Sequence, residues 1–294
     1  MNLSGDWQYY LTKGFSKAVC LLPYWAVCRL GRGAGYLYYR WATRQRTRAI
    51  DQAMQGLGLT LPEADRVVHG LFSNLGTMFF EMLYMPVLNA RTIGRHVTVE
   101  GLENLRQAVE LGRGVVLLTA HMGNWEWMGA ALAYAGFPMT TIAQPQPNAP
   151  LNRILNEYRS MVGLEVFALG TNDLLKAVRA LKKGKVLGFI ADQDGGAEGV
   201  FVDFFGRKAS TPLAPAILAD KYQASIVPAF TFRCPDGGHR VVLMPFEYER
   251  SGDSEQDLYR NTARMTKITE DMIRAHPDQW LWFQKRWKTP YNQD

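Results

Sequence analysis

His121 and Glu126 are the residues whose types and placement most directly suggest chemistry. They stand in Val115-Val116-Leu117-Leu118-Thr119-Ala120-His121-Met122-Gly123-Asn124-Trp125-Glu126-Trp127-Met128-Gly129. The opening apolar, β-branched run reads as a buried strand. Gly123 and Asn124 break the pattern, and Trp125 to Tyr134 then reads as an apolar helix with Asn124 at its N-cap. His121 therefore follows the C-terminal end of a strand, where open α/β sheets place their ligands. On one continuous helix, residues five apart lie about 140° from each other and could not meet. With His121 on the turn and Glu126 in the first helical turn, they can. Glu126 would then accept from one imidazole nitrogen and fix the tautomer, leaving the other nitrogen to take a proton from an attacking hydroxyl. No Ser or Cys nucleophile is needed if the acceptor brings its own hydroxyl. The plainer alternative is a loop histidine beside a first-turn acid favoured by the helix dipole.

The stretch resembles the HxxxxE block of the lipid A late acyltransferases, a branch of the lysophospholipid acyltransferase superfamily, whose wider signature is HxxxxD. Two distant segments extend the resemblance. Asp192-Gln193-Asp194-Gly195-Gly196 with Gly199-Val200-Phe201-Val202-Asp203-Phe204-Phe205-Gly206 is similar to the family's second block, and Trp280-Leu281-Trp282-Phe283-Gln284-Lys285-Arg286-Trp287-Lys288 to its C-terminal signature. The similarity runs in order over nearly the whole chain. It implies a membrane-associated O-acyltransferase on the cytoplasmic face of a bacterial inner membrane. The reaction implied moves a fatty acyl chain from a thioester donor, acyl carrier protein or acyl-CoA, to a hydroxyl of a lipid A precursor. No cofactor is implied beyond that thioester co-substrate. In this reading His121 is the general base, Glu126 its orienter and Arg159 the holder of the oxyanion. Asp192 belongs to the site, orienting His121 or a basic residue, and Asn124 and Arg286 are substrate-contacting candidates. The alternatives are another glycolipid or lysolipid acceptor, hydrolysis with water as acceptor, and a lipid-binding scaffold that keeps the fold without the chemistry.

Composition narrows the setting. The chain has 294 residues, 47% of them hydrophobic, enough for one large core or two small ones. Cys20, Cys28 and Cys234 are odd in number and widely spaced, which suggests a reducing compartment rather than a disulfide framework. The histidines fall at 69, 96, 121, 239 and 276 with no CxxC, HxxxH or HExxH spacing, so no dedicated metal site is expected. The net charge of +6 is uneven. Residues 7–50 hold eight of the 33 Lys and Arg and no acid, leaving 25 basic against 27 acidic residues elsewhere.

That segment also carries ten aromatics, among them Trp7, Tyr10, Trp25, Tyr36 and Trp41. Its longest uncharged run, Ala18 to Cys28, contains Pro23 and has eleven residues, whereas a spanning helix needs about 20. Residues 1–50 are therefore read as amphipathic helices lying in the membrane interface, with arginines toward anionic headgroups. Residues 51–294 are read as the catalytic domain. Nucleic acid is the weaker reading of the same charge, because no nucleic-acid motif accompanies it.

Within the catalytic domain, 62–85 reads as a core helix. From His96 onward, short strands alternate with helices. This predicts an α/β fold with a largely parallel or mixed central sheet flanked by helices. The Asp192 loop, like the His121 turn, falls at the end of a buried strand. Val200 to Phe205 reads as a strand that lines an acyl-chain cleft or joins a core cluster. Ala209-Ser210-Thr211-Pro212 reads as a helix start, with Thr211 as cap. Ser225–Phe232 and His239–Pro245 read as paired strands, and Asp257 to Ala275 as a long helix.

Overall fold

The strand expected before His121 forms and lies at the centre of the protein. A computed structural model describes residues 3–170 and 173–291. Four helices come first: α1 (Leu3–Cys20), α2 (Tyr24–Trp41), α3 (Thr43–Leu57) and α4 (Leu61–Tyr84). Next come β1 (Val97–Glu100), α5 (Leu102–Glu110), β2 (Val115–Thr119), α6 (Trp125–Tyr134), β3 (Met139–Ala143), α7 (Ala149–Met161) and β4 (Glu165–Ala168). The chain continues through α8 (Asp173–Lys182), β5 (Val186–Ile190), β6 (Val200–Phe204), β7 (Arg207–Thr211), α9 (Ala214–Tyr222), β8 (Ser225–Arg233), β9 (His239–Leu243) and α10 (Ser254–Ala275).

Among the described residues the main sheet has seven strands in the order β1-β9-β8-β2-β5-β3-β4. All neighbours are parallel except the β8–β9 hairpin, so the sheet is mixed but mostly parallel, as the alternation of elements predicts. Every residue of β2 is buried. Alternate side chains of a strand point to opposite faces. Val115 and Leu117 accordingly enter one core with Leu105 of α5 and Trp127 of α6, while Val116 and Leu118 enter another with Ala177 of α8 and Ala216 of α9. A third cluster gathers Ala120, Met122, Phe230, Phe232, Trp280 and Trp282 around the His121 turn, together with residues of α3 and α4.

The N-terminal helices are bolted to this body through α2 and α4. The Cβ that Gly31 lacks would lie 2.5 Å from Thr77 Cα, and that of Gly35 would lie 2.2 Å from the Phe72 carbonyl oxygen. Only hydrogen fits at this crossing. Pro23 is the N-cap of α2, so the uncharged run 18–28 is split between two helices. No helix among the described residues is long and apolar enough to cross a membrane. α3 runs through residue 50, so the boundary expected there falls inside a helix.

The helix start expected at 209–212 is a strand instead. β6 and β7 form an antiparallel hairpin turning at Phe205 and Gly206, both with positive φ, and α9 begins only at Ala214. Ser210 and Thr211 are buried and bonded to Arg286, contacts that outweigh the local capping signal.

Candidate active site

β2 and β5 are parallel neighbours, and the residues just beyond their ends meet. His121 Nδ1 lies 2.8 Å from Asp192 Oδ1, and Asp192 Oδ2 accepts the backbone N–H of His121 at 2.9 Å. Oδ2 also accepts from Trp280 Nε1 at 2.7 Å and Gln284 Nε2 at 3.4 Å. Burial would raise the Asp192 pKa, but the His121 charge and the donated hydrogen bonds outweigh it and hold the carboxyl below its ordinary value. An ionised carboxylate can only accept, so Nδ1 of His121 donates to it, and in the neutral ring the lone pair is the one on Nε2. Among the described residues nothing hydrogen-bonds to Nε2. The imidazole keeps 19% exposure, while the Asp192 side chain has none. Trp125 meets the imidazole edge-on, with ring centroids 5.0 Å apart.

The turn itself is pinned from behind. Gly123 has φ +57°, and a Cβ there would lie 2.2 Å from the Thr231 carbonyl oxygen, so both its conformation and the space require glycine. Its N–H donates to Gln279 O at 3.1 Å, and Leu281 N–H donates to His121 O at 3.2 Å. The C-terminal tryptophan segment thus closes over the turn from one side. Trp280 and Trp282 are fully buried.

The partner assigned to His121 from spacing is not the one it has. Glu126, in the first turn of α6, faces α7 and accepts a bidentate pair from Arg159: Nε at 2.8 Å and Nη2 at 2.5 Å. Their side chains are only 6% and 11% exposed. Burial opposes the Arg159 charge, but the hydrogen bond and charge of Glu126 prevail and raise its pKa. The physical reason is the direction of the chain. β2 delivers His121 beside β5, whereas α6 leaves the turn so that its second residue meets the last turn of α7. Of the two partners expected for Asp192, His121 or a basic residue, the structure places His121 against its carboxylate.

Two other candidates are buried and engaged within the protein. Asn124 is fully buried; its Oδ1 caps α6 by accepting Trp127 N–H at 3.0 Å, and its Nδ2 donates to Glu81 at 2.7 Å. Arg286 is 1% exposed and binds the Ser210 carbonyl and Thr211 Oγ1, with its guanidinium over the Phe204 ring. It fastens β7 to the C-terminal segment. Phe204 and Phe205 likewise belong to the core with Trp280 and Trp282 rather than to an open cleft.

Sequence reasoning missed Glu81, which is fully buried in α4 and bonded to Arg233, His239, Tyr24 and Asn124. A single acid near the end of a stripe of apolar residues was the available signal, because a buried carboxylate requires partners. It also missed Trp280 as a donor to Asp192, since nothing local links the indole to a loop 88 residues away.

Comparison with known proteins gives this arrangement a context. The chain is 29% identical over 293 residues to the lipid A biosynthesis lauroyltransferase of Escherichia coli K12, covering 96% of this chain and 92% of the relative. It is 28% identical over 276 residues to that organism's lipid A biosynthesis palmitoleoyltransferase, covering 91% and 87%. It is 27% identical over 261 residues to a phosphatidylinositol mannoside acyltransferase of Mycolicibacterium smegmatis, covering 87% and 83%. Residues 2–289 match the family described as bacterial lipid A biosynthesis acyltransferase. With the match spanning all three sequence blocks and both strand ends that build the His121–Asp192 pair, the chain belongs to the bacterial lipid A biosynthesis acyltransferase family.

Proposed function

We propose that this enzyme transfers a fatty acyl chain from an acyl carrier protein thioester to a hydroxyl of a lipid A precursor at the cytoplasmic face of the inner membrane. The observation that carries the mechanism is the His121–Asp192 pair with Nε2 turned free. Nε2 takes the acceptor's hydroxyl proton as the oxygen attacks the thioester carbonyl. The tetrahedral intermediate collapses with cleavage of the C–S bond, and the departing thiolate recovers the proton from His121. Asp192 holds the ring and balances the imidazolium charge. Arg159 gives two of its five N–H groups to Glu126 and retains donors for the developing oxyanion, the role assigned to it from the family pattern. The basic, aromatic outer surface of α1 and α2 supports a protein lying on the bilayer. Leu21 in the turn between them is 86% exposed, and Trp25 and Trp41 of α2 are 67% and 80% exposed.

The test is incubation of purified protein with radiolabelled acyl carrier protein and detergent-dispersed lipid A precursor. We expect label to move to the lipid and His121→Ala to lower the rate by about 10² or more, the usual scale for a general base. Full activity of His121→Ala would overturn the mechanism. The mycobacterial relative's name favours a second reading, another glycolipid as acceptor. Mass spectrometry of total lipids from a deletion strain separates the two, because loss of one acyl chain from lipid A supports the first alone.

A further inference from the structure

A set of buried polar side chains that the proposed mechanism does not use sits directly behind the His121 turn. At its centre is Glu81, near the C-terminal end of α4 and fully buried. Arg233 grips both carboxylate oxygens, with Nη1 2.6 Å from Oε1 and Nη2 2.8 Å from Oε2. Tyr24 Oη donates to Oε1 at 2.6 Å, His239 Nε2 lies 3.0 Å from the same oxygen, and Asn124 Nδ2 donates to Oε2 at 2.7 Å. Burial would raise the Glu81 pKa, but the charges of His239 and Arg233 reverse this and hold the carboxyl well below its ordinary range. An apolar side chain would fill this space at no electrostatic cost, whereas a carboxylate bonded at both oxygens fixes where its partners sit.

The partners of Glu81 converge on the segment that follows His121. Asn124 is held at its amide nitrogen by Glu81 and caps α6 with its oxygen. Trp127, in the same first turn of α6, donates its indole N–H to the Glu81 backbone carbonyl at 3.2 Å. Arg233 reaches the turn by a second route. Its backbone N–H donates to Gln279 Oε1 at 2.6 Å, Gln279 Nε2 donates back to the Arg233 carbonyl at 3.1 Å, and the Gln279 carbonyl accepts the N–H of Gly123. Asn124 is thereby tied directly to the Glu81 carboxylate, Trp127 to the backbone of the same residue, and Gly123 to its partner Arg233 through Gln279. Asp192 fixes the turn at the His121 end, and Glu81 fixes it where α6 begins.

We propose that Glu81 is a positioning residue for acyl transfer: through Asn124 and Gln279 it sets where α6 starts, and so holds the Glu126–Arg159 pair at a fixed place relative to Nε2 of His121. This rests on the reading of His121 as the base. A residue that only filled the core would affect whether the enzyme folds, not the turnover of enzyme that has folded.

Asn124→Ser separates the two. Serine still caps a helix but is too short to reach Glu81, and every charge in the network remains. We expect a folded enzyme with KM for thioester and lipid within twofold of the parent and kcat lowered tenfold or more. Glu81→Asp, which keeps the charge but draws the carboxylate back, should give the same split, and it serves as the reading variant if Asn124→Ser does not fold. Unchanged kcat in whichever variant folds overturns the proposal. His121→Ala run in parallel keeps the two ideas apart. If it is inactive while the Asn124 and Glu81 variants turn over normally, only the positioning role fails; if it is fully active, the base reading fails first.

Discussion

The carboxylate of Asp192 holds His121 at two points, the ring through Oδ1 and the backbone through Oδ2. One side chain just beyond β5 thus sets both the tautomer of the imidazole and the start of the turn that carries it. Asp192→Asn keeps the shape but offers an amide that donates as readily as it accepts, so Nε2 loses its reserved lone pair. The analogous change in the serine protease triad costs about 10⁴ in kcat. A fall of about 10² to 10⁴ in kcat with little change in KM is the expected outcome by steady-state transfer assay. A variant within threefold of the parent would remove Asp192 from the mechanism. Trp280→Phe removes one of the donors to Oδ2 and leaves the ring contact, so its effect should be smaller, about tenfold.

Glu126 and Arg159 should behave as one unit rather than as a base orienter and a separate cation. Breaking a buried pair from one side leaves the other charge without a partner, at a cost of about 3–5 kcal/mol. Glu126→Gln and Arg159→Met are each expected to lower the thermal midpoint and the rate, and the double variant should be no worse than the more damaged single one. A double-mutant cycle on both stability and kcat measures this. Strict additivity, or strong coupling of Glu126 to His121 instead, would contradict the geometry.

The sequence discloses this site unevenly, for identifiable reasons. β2, α6 and the Asn124 cap are legible because hydrophobic period and capping chemistry are local. The five-residue spacing singles out His121 and Glu126 but not the partners that each has in the fold, Asp192 and Arg159. Partners are chosen by which strand lies next to β2 and which helix packs on α6, and both come from segments tens of residues away. Arg286 misleads for the same reason: a basic residue among tryptophans reads as a substrate-contacting candidate until β7 supplies a buried carbonyl and hydroxyl for it. Thr211-Pro212 is a sound local helix start that lost to hairpin pairing with Val200. Glu81 was hidden inside a stripe whose apolar pattern is otherwise that of a core helix.

Acid should loosen the protein at these buried carboxylates. Asp192 and Glu81 both have pKa values below their ordinary ones in the folded chain. Unfolded, they titrate near about 3.9 and about 4.3. A depressed folded value means the unfolded chain binds protons first as pH falls. The stabilisation is therefore complete well above pH ~4.5 and is lost progressively below it, as pH drops toward the folded values. Thermal midpoints measured from pH 7 to pH 3 should be flat at first and then decline. Glu81→Gln should start lower and decline less steeply, because one of the two groups no longer titrates. Parallel curves for parent and variant would show that Glu81 contributes nothing to the acid slope.

The outer face of α2 makes the last prediction, and it is about where the enzyme works. Its inner stripe, Val27, Cys28, Gly31 and Gly35, is buried against the body, which leaves Trp25, Arg29, Arg32, Tyr36, Arg40 and Trp41 turned outward. Aromatic side chains favour the headgroup level of a bilayer, and each arginine near an anionic surface contributes about 1 kcal/mol. Vesicle co-sedimentation should therefore show two separable effects. Replacing Arg29, Arg32 and Arg40 together by Gln should weaken binding to anionic vesicles by about two orders of magnitude, the sum of three such contributions, with little effect on neutral ones. Added salt should mimic that loss by screening the same charges. Trp25→Ser with Trp41→Ser should weaken binding to both kinds of vesicle, since the indoles act through burial rather than charge. None of these residues touches the His121 turn, so turnover of a detergent-dispersed substrate should stay near the parent value while turnover on vesicles falls. If binding is indifferent to both sets of changes, α2 does not face the membrane.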